Sequence, residues 1–271
     1  MIGVMFSELA YTRRGQGEPL VLIHGIGHRK EAWGPVMDQL ADHYDVIAVD
    51  LAGFGESPGL PTGMPYSMDN ACENLRLNFE SWGVDRPHVA GNSLGGAIAL
   101  ELGHRDLARS VTGLSPAGFF TGRFDRFVAL ATLLLLKITS YLPEAIVGRL
   151  LGSAAGRKAI GISLFENADR FTAEEFLGDT RALRGGRAFF PVLKEGLHYS
   201  FTAPVDVPTT IAWGTKDKIL LHRQSDRARR FLPRAHHVDL PNCGHVPMVD
   251  DPALIVRVID VTTSEVRAEA A

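Results

Sequence analysis

The stretch HVAGNSLGGAIAL (His88–Leu100) takes a strand-like apolar run straight into a helix-like one and sets a serine among glycines at the junction. Glycine costs a helix start roughly 0.5–1 kcal/mol relative to alanine. Gly91, Gly95 and Gly96 around Ser93 therefore imply a backbone that must be cramped there. Gly91-Asn92-Ser93-Leu94-Gly95 fits G-x-S-x-G, a strained strand-to-helix turn that holds the serine hydroxyl proud of the sheet. A helix beginning at Leu94 points its free N–H groups at any anion formed beside that hydroxyl. The bland alternative is a plain glycine-rich turn. The strand before it and the helix after it favour the reactive one.

A serine becomes a nucleophile when a base takes its proton, and the base needs an acid to orient it. His245, in NCGHVPMVDDP, sits in a glycine loop after the last strand-like segment and before a terminal helix. Asp217, in IAWGTKDKIL, follows a buried strand and lies 28 residues before His245. The preceding strand-like segment, VTGLSPAG, contains no carboxylate, which leaves Asp217 as the acid over its reading as a turn residue between Lys216 and Lys218. An oxyanion needs two backbone donors. Leu94 supplies one, and Ile26, between Gly25 and Gly27 in HGIG, supplies the other. His24 is expected to fix that loop, while His104, His222, His236 and His237 read as surface histidines.

These residues need a scaffold that brings distant loops to one edge. PLVLIHG, YDVIAVD, RPHVAGNS, VTGLSPAG and PTTIAWG are short, nearly continuous apolar runs that end at glycine or polar turns, and HHVDLPNCGH is a more polar version. Strands buried on both faces belong to a parallel sheet. Between them, EAWGPVMDQLADHY and SMDNACENLRLNFESWGV have helical spacing. The expected class is α/β: a doubly wound, mostly parallel sheet. From Phe119 to Thr202 no strand is evident, and the segment is rich in leucine and phenylalanine. It is too long for a loop. The expected organisation is a core of residues 1–118 and 203–271 with a helical cap at 119–202, covering the strand ends where open α/β sheets bind ligands.

Composition narrows the partners. The 28 basic and 31 acidic residues are interspersed, with no dense basic block, so no nucleic-acid partner is expected. Cys72 and Cys243 are far apart and form no C-x-x-C pair, which fits a reducing cytoplasm better than a disulfide scaffold or a zinc site. The first residues lack the basic-then-apolar order of a signal peptide, and the tail TTSEVRAEAA reads as a fraying helix end. FVALATLLLLKITSYL (Phe127–Leu142) is interrupted by Lys137 and falls short of the ~20 residues of a spanning helix. It reads as a buried or lid helix, with a membrane-surface contact the lesser alternative.

The ordered set LIHGIG…W, VDLAGFGES, GNSLGG, WGTKD and CGHVP resembles the α/β-hydrolase superfamily over essentially the whole chain. The resemblance implies a helical cap insertion and a Ser-His-Asp acyl transfer needing no metal or organic cofactor. It also implies that Asp50–Ser57 is a structural turn, so that Ser57 is not catalytic. The substrate expected is a small molecule with an apolar moiety, a carboxylic ester, thioester or lactone, with Phe119 and Phe120 as pocket-lining residues. Two readings stand beside this. Carbon–carbon bond hydrolases of ring-fission products often carry GNSMGG, close to GNSLGG here, but usually have a tryptophan after the catalytic histidine, where this chain has Val246. Some members of the fold instead act as ligand receptors with little turnover.

Overall fold

The computed structural model describes residues 7–269. Seven strands, β1 (Tyr11–Arg14), β2 (Glu18–Ile23), β3 (Tyr44–Val49), β4 (His88–Asn92), β5 (Ser110–Leu114), β6 (Thr209–Gly214) and β7 (His236–Leu240), form one sheet in the order β1-β3-β2-β4-β5-β6-β7. All pairs are parallel except β1 with β3. The expected doubly wound sheet is therefore present, with one antiparallel strand at its edge.

Strand alternation explains the continuous apolar runs. In β2, Val21 and Ile23 join one core cluster and Leu20 and Leu22 the other; in β3, Ile47 and Val49 oppose Val46 and Ala48 in the same way. Each face is roofed by helices, so neither set of side chains meets water. Helices α1 (Gly34–Ala41) and α11 (Pro252–Glu269) bury Leu40 and Ile255 on one face. On the other lie α2 (Met68–Ser81), α3 (Leu94–His104) and α9 (Gln224–Phe231), burying Leu75, Leu100 and Ala228. Helix α2 starts where Ser67 caps the Asn70 amide at 3.3 Å, as its sequence predicts. A short helix, α10 (Pro247–Asp250), precedes α11, which runs to the edge of the described residues.

Strand order sets the site. The chain leaves β2 toward β3 on one side, whereas β4 continues to β5 on the other. The loops after β2 and β4 therefore diverge and open a crevice at the carboxyl ends of two adjacent strands, the switch point where such sheets bind ligands. Ser93 and Ile26 lie on those two loops. Between β5 and β6 the chain forms α4 (Arg123–Thr139), α5 (Glu144–Leu151), α6 (Ala154–Gly161), α7 (Ala173–Gly185) and α8 (Phe189–His198). Helix α7 opens with a capping box, Thr172 Oγ1 accepting from the Glu175 amide and the Glu175 carboxylate from the Thr172 amide.

Two features go beyond the sequence pattern. Strand β1 carries no apolar signal in YTRR; it forms by pairing to β3, where Arg13 Nε meets Asp45 at 2.8 Å. The Phe127–Leu142 run is only half buried, since α4 turns Phe127, Leu135 and Ile138 to solvent.

The β4–α3 turn packs backbone against backbone. A β-carbon added at Gly95 would lie 2.1 Å from the Ile23 carbonyl oxygen, which β2 holds in place. Gly95→Ala is expected to lower stability by about 1–3 kcal/mol or more, seen as a lower urea midpoint. Gly34→Ala, which meets nothing within 4 Å, should change it little.

Candidate active site

Ser93 holds a left-handed backbone, φ 57° and ψ −115°, rare for a residue with a side chain. Its surroundings fix it there. The Ser93 amide donates to the Leu114 carbonyl at 2.9 Å, and the Ser93 carbonyl accepts from the amides of Ala97 and Ala117. The loop after β2 runs close alongside, so that a β-carbon at Gly25 would lie 3.2 Å from that of Ser93. Helix α3 begins without a side-chain cap. Among the described residues, neither the Leu94 amide nor the Ile26 amide donates a hydrogen bond. Two unspent donors thus flank the serine, one from each side of the crevice.

His245 and Asp217 meet at the ends of β7 and β6. His245 Nδ1 lies 2.7 Å from Asp217 Oδ2, and the residues are only 4% and 5% exposed. The other carboxylate oxygen accepts from the amides of Ile219 and Leu220, both at 2.9 Å, which fixes the plane of the acid. A carboxylate oxygen accepts, so Nδ1 carries the proton and the neutral imidazole leaves Nε2 as the basic nitrogen.

Two residues that the sequence reading did not single out hold this loop. Asn92 Nδ2 donates to the His245 carbonyl at 2.8 Å and to the Leu114 carbonyl at 3.1 Å, tying the histidine loop to the serine turn. Asp250 accepts from the Gly244 amide at 2.7 Å and from the amides of Glu166 and Asn167 before α7. Burial pushes its carboxyl above the usual range against those three bonds. The place of Asn92 inside the serine motif was its only sequence signal.

Ser93 and His245 open onto one cavity of about 370 Å³, shared with Ile26. Its walls come largely from the helices between β5 and β6, including Leu133, Leu136, Val147, Phe176 and Leu183, with Phe165 between α6 and α7. Phe119 and Phe120 are not among its lining. Phe119 is buried against Phe201 and Trp213 with ring centroids at 6.1 and 6.4 Å, and Phe120 lies under the Arg126 guanidinium, so both belong to the packing beneath the helices. A second apolar cavity of about 310 Å³ lies beyond Leu94, bordered by Leu51, Ala52 and Phe54. In that turn Ser57 Oγ donates to the Asp50 carbonyl at 2.6 Å and accepts from the Ala10 amide at 2.9 Å, a bracing role.

A cluster of charged groups borders the Ser93 cavity. Asp179 on α7 reaches His28 Nε2 at 3.2 Å and Arg29 Nε at 2.9 Å, joining the helical segment to the loop after β2. Burial opposes its ionisation, but His28 and Arg29 outweigh that and hold its carboxyl below the usual range. His24 sits beneath. Its Nδ1 lies 2.7 Å from the Gly25 carbonyl, and its Nε2 accepts from the Leu51 amide at 3.0 Å, so both nitrogens are committed in the neutral ring. His222 bonds Asp239 at 3.0 Å, and His236 and His237 open strand β7.

Comparison with known proteins gives this geometry a context. Residues 20–258 match the alpha/beta hydrolase family. Lipase 3 of Moraxella sp. (strain TA144) is 26% identical over 255 residues, covering 86% of this chain and 73% of the lipase. The 2-hydroxy-6-oxo-6-(2'-aminophenyl)hexa-2,4-dienoic acid hydrolase of Metapseudomonas resinovorans is 25% identical, covering 90% of this chain and 83% of that enzyme. The crystal structure of a membrane phospholipase A, a bacterial virulence factor, superposes with a TM-score of 0.73 at 27% identity, over 96% of this chain and 83% of that one.

Burial pulls His24 down to about 4, with the Asp50 carboxylate opposing it from 3.9 Å. An unfolded histidine titrates near 6.5, so between these values the unfolded chain binds the extra proton. Stability contributed by neutral His24 is present above about pH 6.5 and is lost as pH falls toward 4. Urea unfolding at steps between pH 7 and pH 4 is expected to show this decline, and His24→Gln should flatten it.

Proposed function

Because the chain belongs to the alpha/beta hydrolase family, we propose that it is a serine hydrolase that cleaves an apolar carboxylic ester, thioester or lactone through an acyl-enzyme. The observation that carries the reading is the 2.7 Å His245–Asp217 contact beside the same apolar cavity as Ser93. His245 Nε2 takes the Ser93 proton as the serine oxygen attacks the carbonyl carbon. The Leu94 and Ile26 amides receive the developing oxyanion, each donor worth roughly 3–4 kcal/mol in such sites. His245 then returns the proton to the leaving group and activates water against the acyl-enzyme, while Asp217 steadies the imidazolium. Helices α4–α8 act as a cap that keeps the cavity apolar.

The lipase and phospholipase relatives support ester chemistry. The Metapseudomonas relative, which acts on a dienoic acid, favours carbon–carbon bond hydrolysis as a second reading. The cavity walls favour the ester: they are largely leucine, isoleucine and phenylalanine, and among the described residues no lysine or arginine lines them to hold a substrate carboxylate.

With p-nitrophenyl acetate, butyrate and octanoate, turnover efficiency is expected to rise with chain length, since each buried methylene contributes up to about 0.8 kcal/mol. Ser93→Ala should lower it at least about a thousandfold; equal turnover in that variant would overturn the reading. Asn92→Ala should lower kcat about tenfold with KM nearly unchanged, because it loosens the His245 loop without removing a reacting group. An unchanged kcat would remove Asn92 from that role.

A further inference from the structure

Helix α4 leaves an apolar face to solvent while burying two of its charged side chains. Phe124, Phe127, Ala131, Leu135 and Ile138 recur at steps of three and four and so share one face. That face is open: Phe124, Phe127 and Ile138 are 62%, 65% and 68% exposed. The charged side chains Asp125 and Lys137 are instead buried, at 1% and 4%. Asp125 accepts from Thr121 and from Arg223, and Lys137 Nζ donates to the carbonyls of Leu183 at 2.6 Å and Arg184 at 3.0 Å. The apolar face continues past Tyr141 and Leu142 onto α5, through Ile146 and Leu150. Ten of the thirteen large exposed apolar side chains among the described residues lie between Phe124 and Phe190, so this is one region rather than scattered exposure.

The patch is also the rim of the Ser93 cavity. Leu135, Leu142, Leu150 and Ile162 are exposed and line that cavity at once. Its charge is positive. Arg123 and Arg149 are exposed and, among the described residues, pair with no carboxylate, whereas the acids of the same two helices are engaged, Asp125 by Arg223 and Glu144 by Arg181 and Arg184. Residues 119–202 hold eleven Lys and Arg against eight Asp and Glu in a chain of net charge −3. Among the described residues no single helix is long and apolar enough to cross a membrane; α4 and α5 meet that length and composition only as a pair, and they are bent by 109°. Two short helices with an exposed apolar face and basic side chains beside it suit an interface.

We propose that the outer face of α4 and α5 docks on a lipid surface bearing anionic headgroups, and that the ester enters the Ser93 cavity from that surface between Leu135, Leu142 and Leu150. This departs from the sequence expectation of little membrane contact, and it rests on the apolar-ester reading only for what is drawn in. Exposed phenylalanine and isoleucine enter the headgroup boundary, and Arg123 and Arg149 meet the anionic headgroups.

Flotation of Ser93→Ala with vesicles of phosphatidylglycerol and phosphatidylcholine reads docking without turnover. Binding is expected at least tenfold stronger than to pure phosphatidylcholine. Phe127→Ser/Ile138→Ser in the same background should weaken it at least tenfold, as should Ile146→Glu alone. In the Ser93 protein these variants should keep p-nitrophenyl butyrate turnover within twofold, since none of the three residues lines the cavity, and that also establishes that they fold. Equal flotation of the variants would overturn the proposal. So would absence of vesicle binding together with a concentration-dependent dimer, by analytical ultracentrifugation, that the same variants abolish, because the face would then join two copies. Flotation that follows the variants while soluble esters go unhydrolysed would support the docking face and defeat the esterase reading alone.

Discussion

The left-handed backbone at Ser93 is the constraint on which the site is built. A side-chain-bearing residue in that region costs of order 1–3 kcal/mol and persists only where its neighbours over-determine it. Here they do so from three directions. Strand β5 takes the Ser93 amide at the Leu114 carbonyl, the first turn of α3 takes its carbonyl through Ala97, and Gly95 lies flat against the Ile23 carbonyl. Any side chain at Gly95 would push α3 off β2, and the two strand ends that share the crevice would part.

The histidine side depends on the same turn. The Leu114 carbonyl accepts from the Ser93 amide and from Asn92, and Asn92 also holds the His245 carbonyl. One backbone oxygen on β5 thus ties the serine turn to the histidine loop. Asp250 completes the hold from behind and binds the amides of Glu166 and Asn167, so the His245 loop and the helical segment share an anchor. His28, Arg29 and Asp179 make the corresponding link on the other side of the cavity. The helices between β5 and β6 are therefore fastened both to the His245 loop and to the loop after β2.

Those helices divide their chemistry unusually. Lys137 and Asp125 spend their charge inside, on carbonyls, Thr121 and Arg223, where burial would otherwise be costly. The apolar side chains left outside make a face that water does not favour. Inside, the same helices supply leucines to the wall of the Ser93 cavity, which raises the strength of any electrostatic contact made there. The cavity wall and the exposed face are two sides of α4.

What the sequence determined by itself was what is local. The glycine-bounded Ser93 turn, the loops at Asp217 and His245, the HGIG loop and the alternation of apolar runs with helices each depend on a few neighbouring residues. Neutral His24 bracing its loop was legible for the same reason. Tertiary structure decided what distant segments do to one another. Phe119 and Phe120 look like pocket residues in sequence, but their rings go under the helices because Phe201, Trp213 and Arg126 arrive there from elsewhere. Strand β1 exists only because β3 offers an edge, and Asn92 and Asp250 tie their loops to segments 153 and 84 residues away. Composition makes α4 largely apolar; only the packing of the helices between β5 and β6 decides which of its faces is left to solvent.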